Sequence, residues 1–335
     1  MEFKGALEPR MKATDFEYEG MTAIEPEILF PDGCIQYLPA TEEQIGIYFD
    51  TYGCVSFSAC NAIEVLMKRK IDMGKFKPEN IQFLIDNGYF KDGKINFDDR
   101  WLVIKSGTIP KVGNDGATVI QTARRLGLPP QSLDTFDLRS RDYSKNNSDL
   151  YYNEDSLNPL SDYVALDFAE RFEILYEWVG RDKMEKASKE GVLQVYTKAW
   201  YKRPDSDRYY NPVEGSSGHA IINVKLSEFK IFDTYDPFIK QMERIQDFYP
   251  LALKINIIEK VMVKPTLKNN TLVQLVSGLG GFGLFLDGKI IMDDTAKILA
   301  TFMTRNNGKT EGMIKPLLQD QWDLFSKVNL KGEEI

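Results

Sequence analysis

Apolar positions recur along this chain at spacings that predict alternating short helices and strands, and one stretch organises the rest. From Ser56 to Met67 the residues Phe57, Ala59, Ala62, Ile63, Val65, Leu66 and Met67 are apolar at helical spacing without Gly or Pro, and Lys68, Arg69 and Lys70 follow. The pattern predicts a helix of about four turns whose basic end suits the negative pole of its dipole. Cys54 falls at its first turn, behind Asp50, Thr51 and Gly53, which supply turn and cap. A thiol at that place meets unpaired backbone N–H groups and the positive end of the dipole, and both favour the thiolate.

Further patterns follow in order. Pro78 to Asn87 predicts a helix with Ile81, Leu84 and Ile85 on one face, and Tyr89 to Phe97 a hairpin on the Asp92-Gly93 turn. Ala117, Ile120, Ala123 and Leu126 share the face of another helix, stopped by Gly127-Leu-Pro-Pro. Arg139 to Asn158 is polar and rich in turn formers, a surface insertion or flexible excursion. Leu166 to Gly191 reads as helical, with Ala169, Phe172, Leu175 and Tyr176 as its apolar stripe. Val192 to Tyr196 and Leu251 to Ile258 read as strands, and Trp200 to Tyr210 as an exposed aromatic and charged loop.

A nucleophile needs a base, and the composition narrows the search. His219 is the chain's single histidine, in Gly215-Ser-Ser-Gly-His-Ala-Ile-Ile-Asn-Val224, where an apolar strand begins. A second strand, Lys230-Ile-Phe, runs into Asp233. Joined by a turn over Leu226 to Phe229, the two strands form an antiparallel hairpin that brings His219 and Asp233 to one end. Cys54 as nucleophile, His219 as base and Asp233 as the group orienting it match thiolate catalysis, with Asp236 as a second candidate orienter.

This order resembles that of the papain-like cysteine peptidases, and looks closest to divergent papain-like proteins encoded by tailed bacteriophages and other viruses. The resemblance spans roughly residues 44 to 258. It implies an α+β fold, a helical half and an antiparallel β half with a cleft between them. Ser106 to Gly116 resembles the family's glycine-containing segment along the substrate cleft, so Gly107, Asn114 and Gly116 are expected to line it, with Gly218 opposite. The family's tryptophan after the nucleophile is Val55 here, and its oxyanion glutamine falls on Tyr48. Gln44 is the candidate for that role, beside the backbone N–H of Cys54.

Charge and cysteine usage set limits. With 42 basic and 50 acidic residues the net charge is −8, which disfavours nucleic acid as a partner. Three cysteines make no disulfide framework, so Cys34 and Cys60 are expected to be free structural thiols. The first residues lack an apolar signal core, and no stretch reaches the roughly eighteen apolar residues of a membrane span. Residues 1 to 43 are expected to form an extended arm, too short for the long inhibitory propeptide of secreted papain relatives, draped over its own body or a neighbour. Asp98 and Asp99 are expected to be solvated, and no metal or other cofactor is implied.

After a papain-like domain over 44–260, residues 261–335 read as a small α+β module. It would have a hairpin over Leu284 to Met292, and helices over Thr295 to Arg305 and Leu317 to Val328. Gly278-Leu-Gly-Gly-Phe-Gly283 precedes a strand, so it lacks the helix N-terminus of a phosphate loop. Two functions are expected. One is a phage-encoded peptidase or amidase acting on a peptide or protein. The other is a docking protein of a phage particle, with weakened or lost catalysis, whose arm and module meet other virion proteins. Either places the chain in the host cytoplasm or the virion.

Overall fold

The computed structural model describes residues 5–11, 27–39, 41–198, 200–211 and 218–260, and the backbone of five strands between 271 and 328. The chain divides into two compact units, Met1–Glu259 and Lys260–Ile335.

The first unit is α+β, with the expected helical and antiparallel halves. After strand β1 (Gly5–Ala6), its helical half holds α1 (Cys54–Asp72), α2 (Pro78–Asp86), the hairpin β2 (Phe90–Lys91) and β3 (Lys94–Ile95), and α3 (Asp99–Lys105). Then come β4 (Gly113–Asn114), α4 (Gly116–Leu126), α5 (Ser148–Tyr151) and α6 (Pro159–Arg171). The β half comprises β5 (Phe172–Gly180), α7 (Met184–Glu190), β6 (Val192–Lys198), β7 (Tyr201–Lys202) and β8 (Arg208–Tyr210). It continues with β9 (Gly218–Lys225), β10 (Lys230–Phe232), β11 (Ile239–Met242) and β12 (Phe248–Glu259). The sheet runs β5-β12-β6-β9-β10-β11-β8-β7, mostly antiparallel.

Helix α1 lies against β6, β9 and β12, and its Ile63 and Leu66 share one core with Val192, Ile222, Leu253 and Ile255. Burial on nearly every side explains why α1 is apolar over so much of its surface. A second anchor comes from β6, where Gln194 donates to the Val55 carbonyl at 2.8 Å and to Ser58 Oγ at 2.7 Å. The start of α1 is thereby fixed against the sheet.

One sequence expectation changes and a second is narrowed. The stripe over Leu166 to Gly191 is broken at Arg171, and Phe172 to Gly180 is a strand paired with β12 from Phe172↔Glu259 to Leu251↔Gly180. Phe172, Ile174, Tyr176 and Trp178 are buried, so the period of two prevails over a helical one once β12 offers its edge. The polar stretch Arg139 to Asn158 is, of its two expected alternatives, the surface insertion, and it is pinned. Buried Arg100 donates to the carbonyls of Leu150 (3.1 Å) and Tyr151 (3.0 Å), and Asn146 is buried with its amide on the Leu138 carbonyl at 2.9 Å.

The second unit has a five-stranded sheet, β16-β13-β14-β15-β17, built of β13 (Thr271–Leu275), β14 (Phe282–Leu286), β15 (Lys289–Met292), β16 (Lys315–Leu317) and β17 (Ser326–Val328). β14 and β15 pair antiparallel, as the hairpin pattern predicts. The helix expected over Leu317 to Val328 is corrected at both ends, which are strands pairing in parallel with β13 and β15. The helix expected over Thr295 to Arg305 and the turn of the hairpin expected over Leu284 to Met292 lie outside the described residues.

Candidate active site

The start of α1 is a shaped turn. Asp50 Oδ1 accepts from the Tyr52 N–H at 2.8 Å, Thr51 Oγ1 accepts from the Gly53 N–H at 3.3 Å, and Tyr52 adopts φ 49°. Gly53 caps the helix without a side chain, and a Cβ there would stand 2.7 Å from Val103 Cγ2. Cys54 follows as the first helical residue, fully buried.

Across from it, β9 opens with Gly218 and His219, turns through Leu226–Glu228 and Phe229 (φ 54°), and returns as β10 into Asp233. His219 Nε2 lies 2.7 Å from Asp233 Oδ1, both side chains buried. Cys54 acts on the same imidazole, through its charge and as a side-chain hydrogen-bond partner. The three residues thus stand in the order thiol, imidazole, carboxylate. Burial works against a charged imidazole, but the Asp233 charge and then Cys54 outweigh it and raise His219 to about 10. Asp233 is lowered: burial opposes this, and His219 and Lys240 prevail.

Three neighbours of these residues escaped the sequence reading. The Trp200 ring stands edge-on to His219 with centroids 5.1 Å apart, and Tyr235 covers it at 5.3 Å. Trp200 and Tyr209 are mostly buried, while Tyr201, Lys202 and residues 204–208 between them are exposed, as expected of that loop. Lys240 is the third. Its ammonium donates to Asp233 Oδ2 at 2.5 Å and is 3 % exposed, whereas its neighbour Ile239 is 44 % exposed. The inversion of the alternating pattern along β11 is seen in the burial and not in the sequence, so no sequence signal marked Lys240.

Of the residues expected along the cleft, Asn114 and Gly218 flank one groove, and the chain's own residues 5–7 occupy it. Ala6 pairs in parallel with Asn114 and antiparallel with Gly218, and the Leu7 N–H donates to the Asn114 carbonyl at 2.9 Å. The fit requires glycine, because a Cβ at Gly218 would lie 2.2 Å from the Ala6 carbonyl oxygen. These residues of the expected arm lie on the chain's own body. Gly107 turns the chain after α3 at φ 73° with open space around it, and Gly116 lets α4 meet β6, since a Cβ there would lie 1.7 Å from the Tyr196 hydroxyl oxygen.

Gln44 is fully buried, and both its amide hydrogens are engaged, by the Tyr235 hydroxyl at 2.6 Å and by Asp50 Oδ1 at 3.2 Å. Its carbonyl oxygen accepts from Thr234 Oγ1 at 2.7 Å. Gln44 therefore ties the loop before α1 to the turn after Asp233 instead of presenting an amide to an acyl oxygen.

Elsewhere, Cys34 and Cys60 are free and buried; burial pushes Cys34 up to about 12, and burial with nearby carboxylates also raises Cys60. Asp98 and Asp99 are buried instead of solvated, because Asp98 caps α3 by accepting from the Trp101 N–H at 2.8 Å. Among the described residues no group of three or more His, Cys, Asp or Glu could hold a metal ion, and no helix is long and apolar enough to cross a membrane.

No family model matches the chain, and no curated protein does. Solved structures do. Xylellain, a cysteine protease from Xylella fastidiosa, is 15 % identical with a TM-score of 0.42 over 78 % of this chain and 97 % of its own. Procathepsin B S9 from Trypanosoma congolense is 11 % identical with a TM-score of 0.45 over 77 % of this chain and 87 % of its own. A recombinant stem bromelain precursor is 12 % identical with a TM-score of 0.42 over 76 % and 77 %. At these scores the likenesses carry no weight of their own, and the functional reading rests on the site.

Proposed function

We propose that this chain is a cysteine-dependent peptidase or amidase, and the observation that carries the reading is the imidazole of His219 between the Cys54 thiol and the Asp233 carboxylate. His219 takes the thiol proton, and the sulfur attacks an acyl carbon. The backbone N–H at the helix start receives the developing oxyanion. As the C–N bond breaks, the imidazolium returns its proton to the leaving amine. Water then attacks the thioester with His219 as base, which releases the acid and restores the thiol. Asp233 fixes the ring and stays ionised throughout.

The test is iodoacetamide alkylation of the full chain across pH, with the modified cysteine mapped. Cys54 is expected to react ahead of Cys34 and Cys60 and to lose that reactivity in His219→Ala. Alkylation indifferent to His219 would sink the proposal.

A second reading is favoured by the groove holding the chain's own residues 5–7 and by the full engagement of Gln44. In it the body is a scaffold in a phage particle, and the surfaces of the second unit dock other virion proteins. Both readings put the protein in the host cytoplasm or the particle. Cofractionation with purified particles, without turnover of any peptide library, is the outcome that selects the scaffold.

A further inference from the structure

Lys240 occupies a place that a strand lysine seldom takes. Its side chain points inward from β11 beside Met242, and its ammonium donates to Asp233 Oδ2 (2.5 Å) and to the carbonyls of Tyr235 (2.5 Å) and Pro237 (2.7 Å). The rings of Trp200 and Tyr209 stand 5.3 and 5.9 Å from it, so every face of the cation meets an acceptor or a π-system. Asp233 Oδ2 belongs to Lys240, while Oδ1 takes the His219 imidazole and the Thr234 N–H. The buried line therefore reads Lys240, Asp233, His219, Cys54.

We infer that Lys240 is a positioning residue for the His219–Cys54 pair: it fixes the rotamer of Asp233 and offsets that carboxylate's charge, so that the imidazolium can release its proton to a leaving amine. The inference rests on the peptidase reading.

The carbonyl contacts alone would make Lys240 a staple for the turn after Asp233. The carboxylate contact gives it a second role. An unbalanced Asp233 in a buried site would bind the imidazolium proton more tightly, and the base would be a poorer acid in the step that expels the amine. Among the described residues, Tyr152 and Tyr196 also act on Cys54, and Tyr209 on Asp233. Cys54 faces His219 from α1, Trp200 and Tyr235 face it with rings, and Asp236 acts on Lys240 through space. Asp50 is reached only through the Tyr235 hydroxyl. Lys240 is thus the cation on the far side of the orienting carboxylate. Burial lowers its own proton affinity, which Asp233 counteracts.

The single histidine makes the test direct, because one imidazole resonance reports the site. The full chain would be titrated by NMR as wild type, Lys240→Met and Lys240→Arg, with alkylation of Cys54 followed over the same pH range and near-UV circular dichroism confirming the fold. His219 is expected to titrate at least about one pH unit higher in K240M, the size of effect a close charge produces. The pH profile of Cys54 alkylation should move with it, and K240R should restore both toward wild type. If K240M does not fold, Lys240→Gln keeps a donor without the charge and is expected to shift the same way. A folded neutral variant whose His219 titration is unchanged or lower overturns the inference. Failure of the peptidase reading shows separately, as alkylation of wild-type Cys54 that does not depend on His219.

Discussion

His219 Nε2 and Asp233 Oδ1 are 2.7 Å apart inside the protein, joined by a hairpin whose turn is only Leu226–Glu228 and Phe229. The carboxylate supplies the largest of the effects that raise the imidazole. Asp233→Asn keeps an acceptor in place but removes the charge. The titration of His219, near 10 in the wild type, is expected to fall by roughly 1–3 units in that variant. NMR titration of the lone imidazole reads the shift, and an unmoved value would mean Asp233 does not set the charge of His219.

The same pair predicts how stability follows pH. His219 is raised in the folded protein from an ordinary value of 6.5 to about 10, so the folded state holds a proton that the unfolded chain releases first. Its contribution is whole below about pH 6.5 and is lost as pH climbs through about 10. By order of magnitude that is a few kcal/mol. Urea unfolding at pH 6, 8 and 10 should show the decline in wild type and a flatter dependence in His219→Ala. Equal slopes would refute it.

The occupied groove yields a prediction about access. In Gly218→Ala the new methyl would meet the Ala6 carbonyl oxygen at 2.2 Å, so residues 5–7 must leave. Faster alkylation of the buried Cys54 and easier proteolytic clipping of the first eleven residues are expected together. Clipping at the wild-type rate would show that the arm stays.

Selectivity among the thiols can be read in one experiment. Burial holds Cys34 up at about 12 and also raises Cys60, so neither is a nucleophile near neutrality. Limited alkylation of the native protein is expected to mark Cys54 first, and mass mapping that found Cys34 or Cys60 ahead of it would contradict the structure.

A packing prediction concerns the seam between α4 and β6. Gly116→Ala would set a Cβ 1.7 Å from the Tyr196 hydroxyl oxygen and 3.0 Å from Cζ. It is expected to destabilise by about 1–3 kcal/mol, with part recovered in the G116A/Y196F double variant. Additive losses would mean the hydroxyl is not what the methyl meets.

Sequence alone determined the local features of this protein. The run from Phe57 to Met67, apolar at helical spacing and free of Gly and Pro, sets α1 and puts Cys54 at its start, because helical periodicity and a glycine cap act over a few residues. The single histidine and the two strands around a short turn bring His219 to Asp233 for the same reason. Only tertiary structure decided the rest. Phe172 to Gly180 satisfies two periodicities and became a strand because β12 pairs with it. Tyr235 and Asp50, distant in sequence or across a turn, claim the amide of Gln44. Lys240 is identifiable as part of the site only once Asp233, Trp200 and Tyr209 surround it. A local pattern fixes the direction of a side chain, but its partners come from other segments, and long-range contacts leave no periodic trace in the sequence.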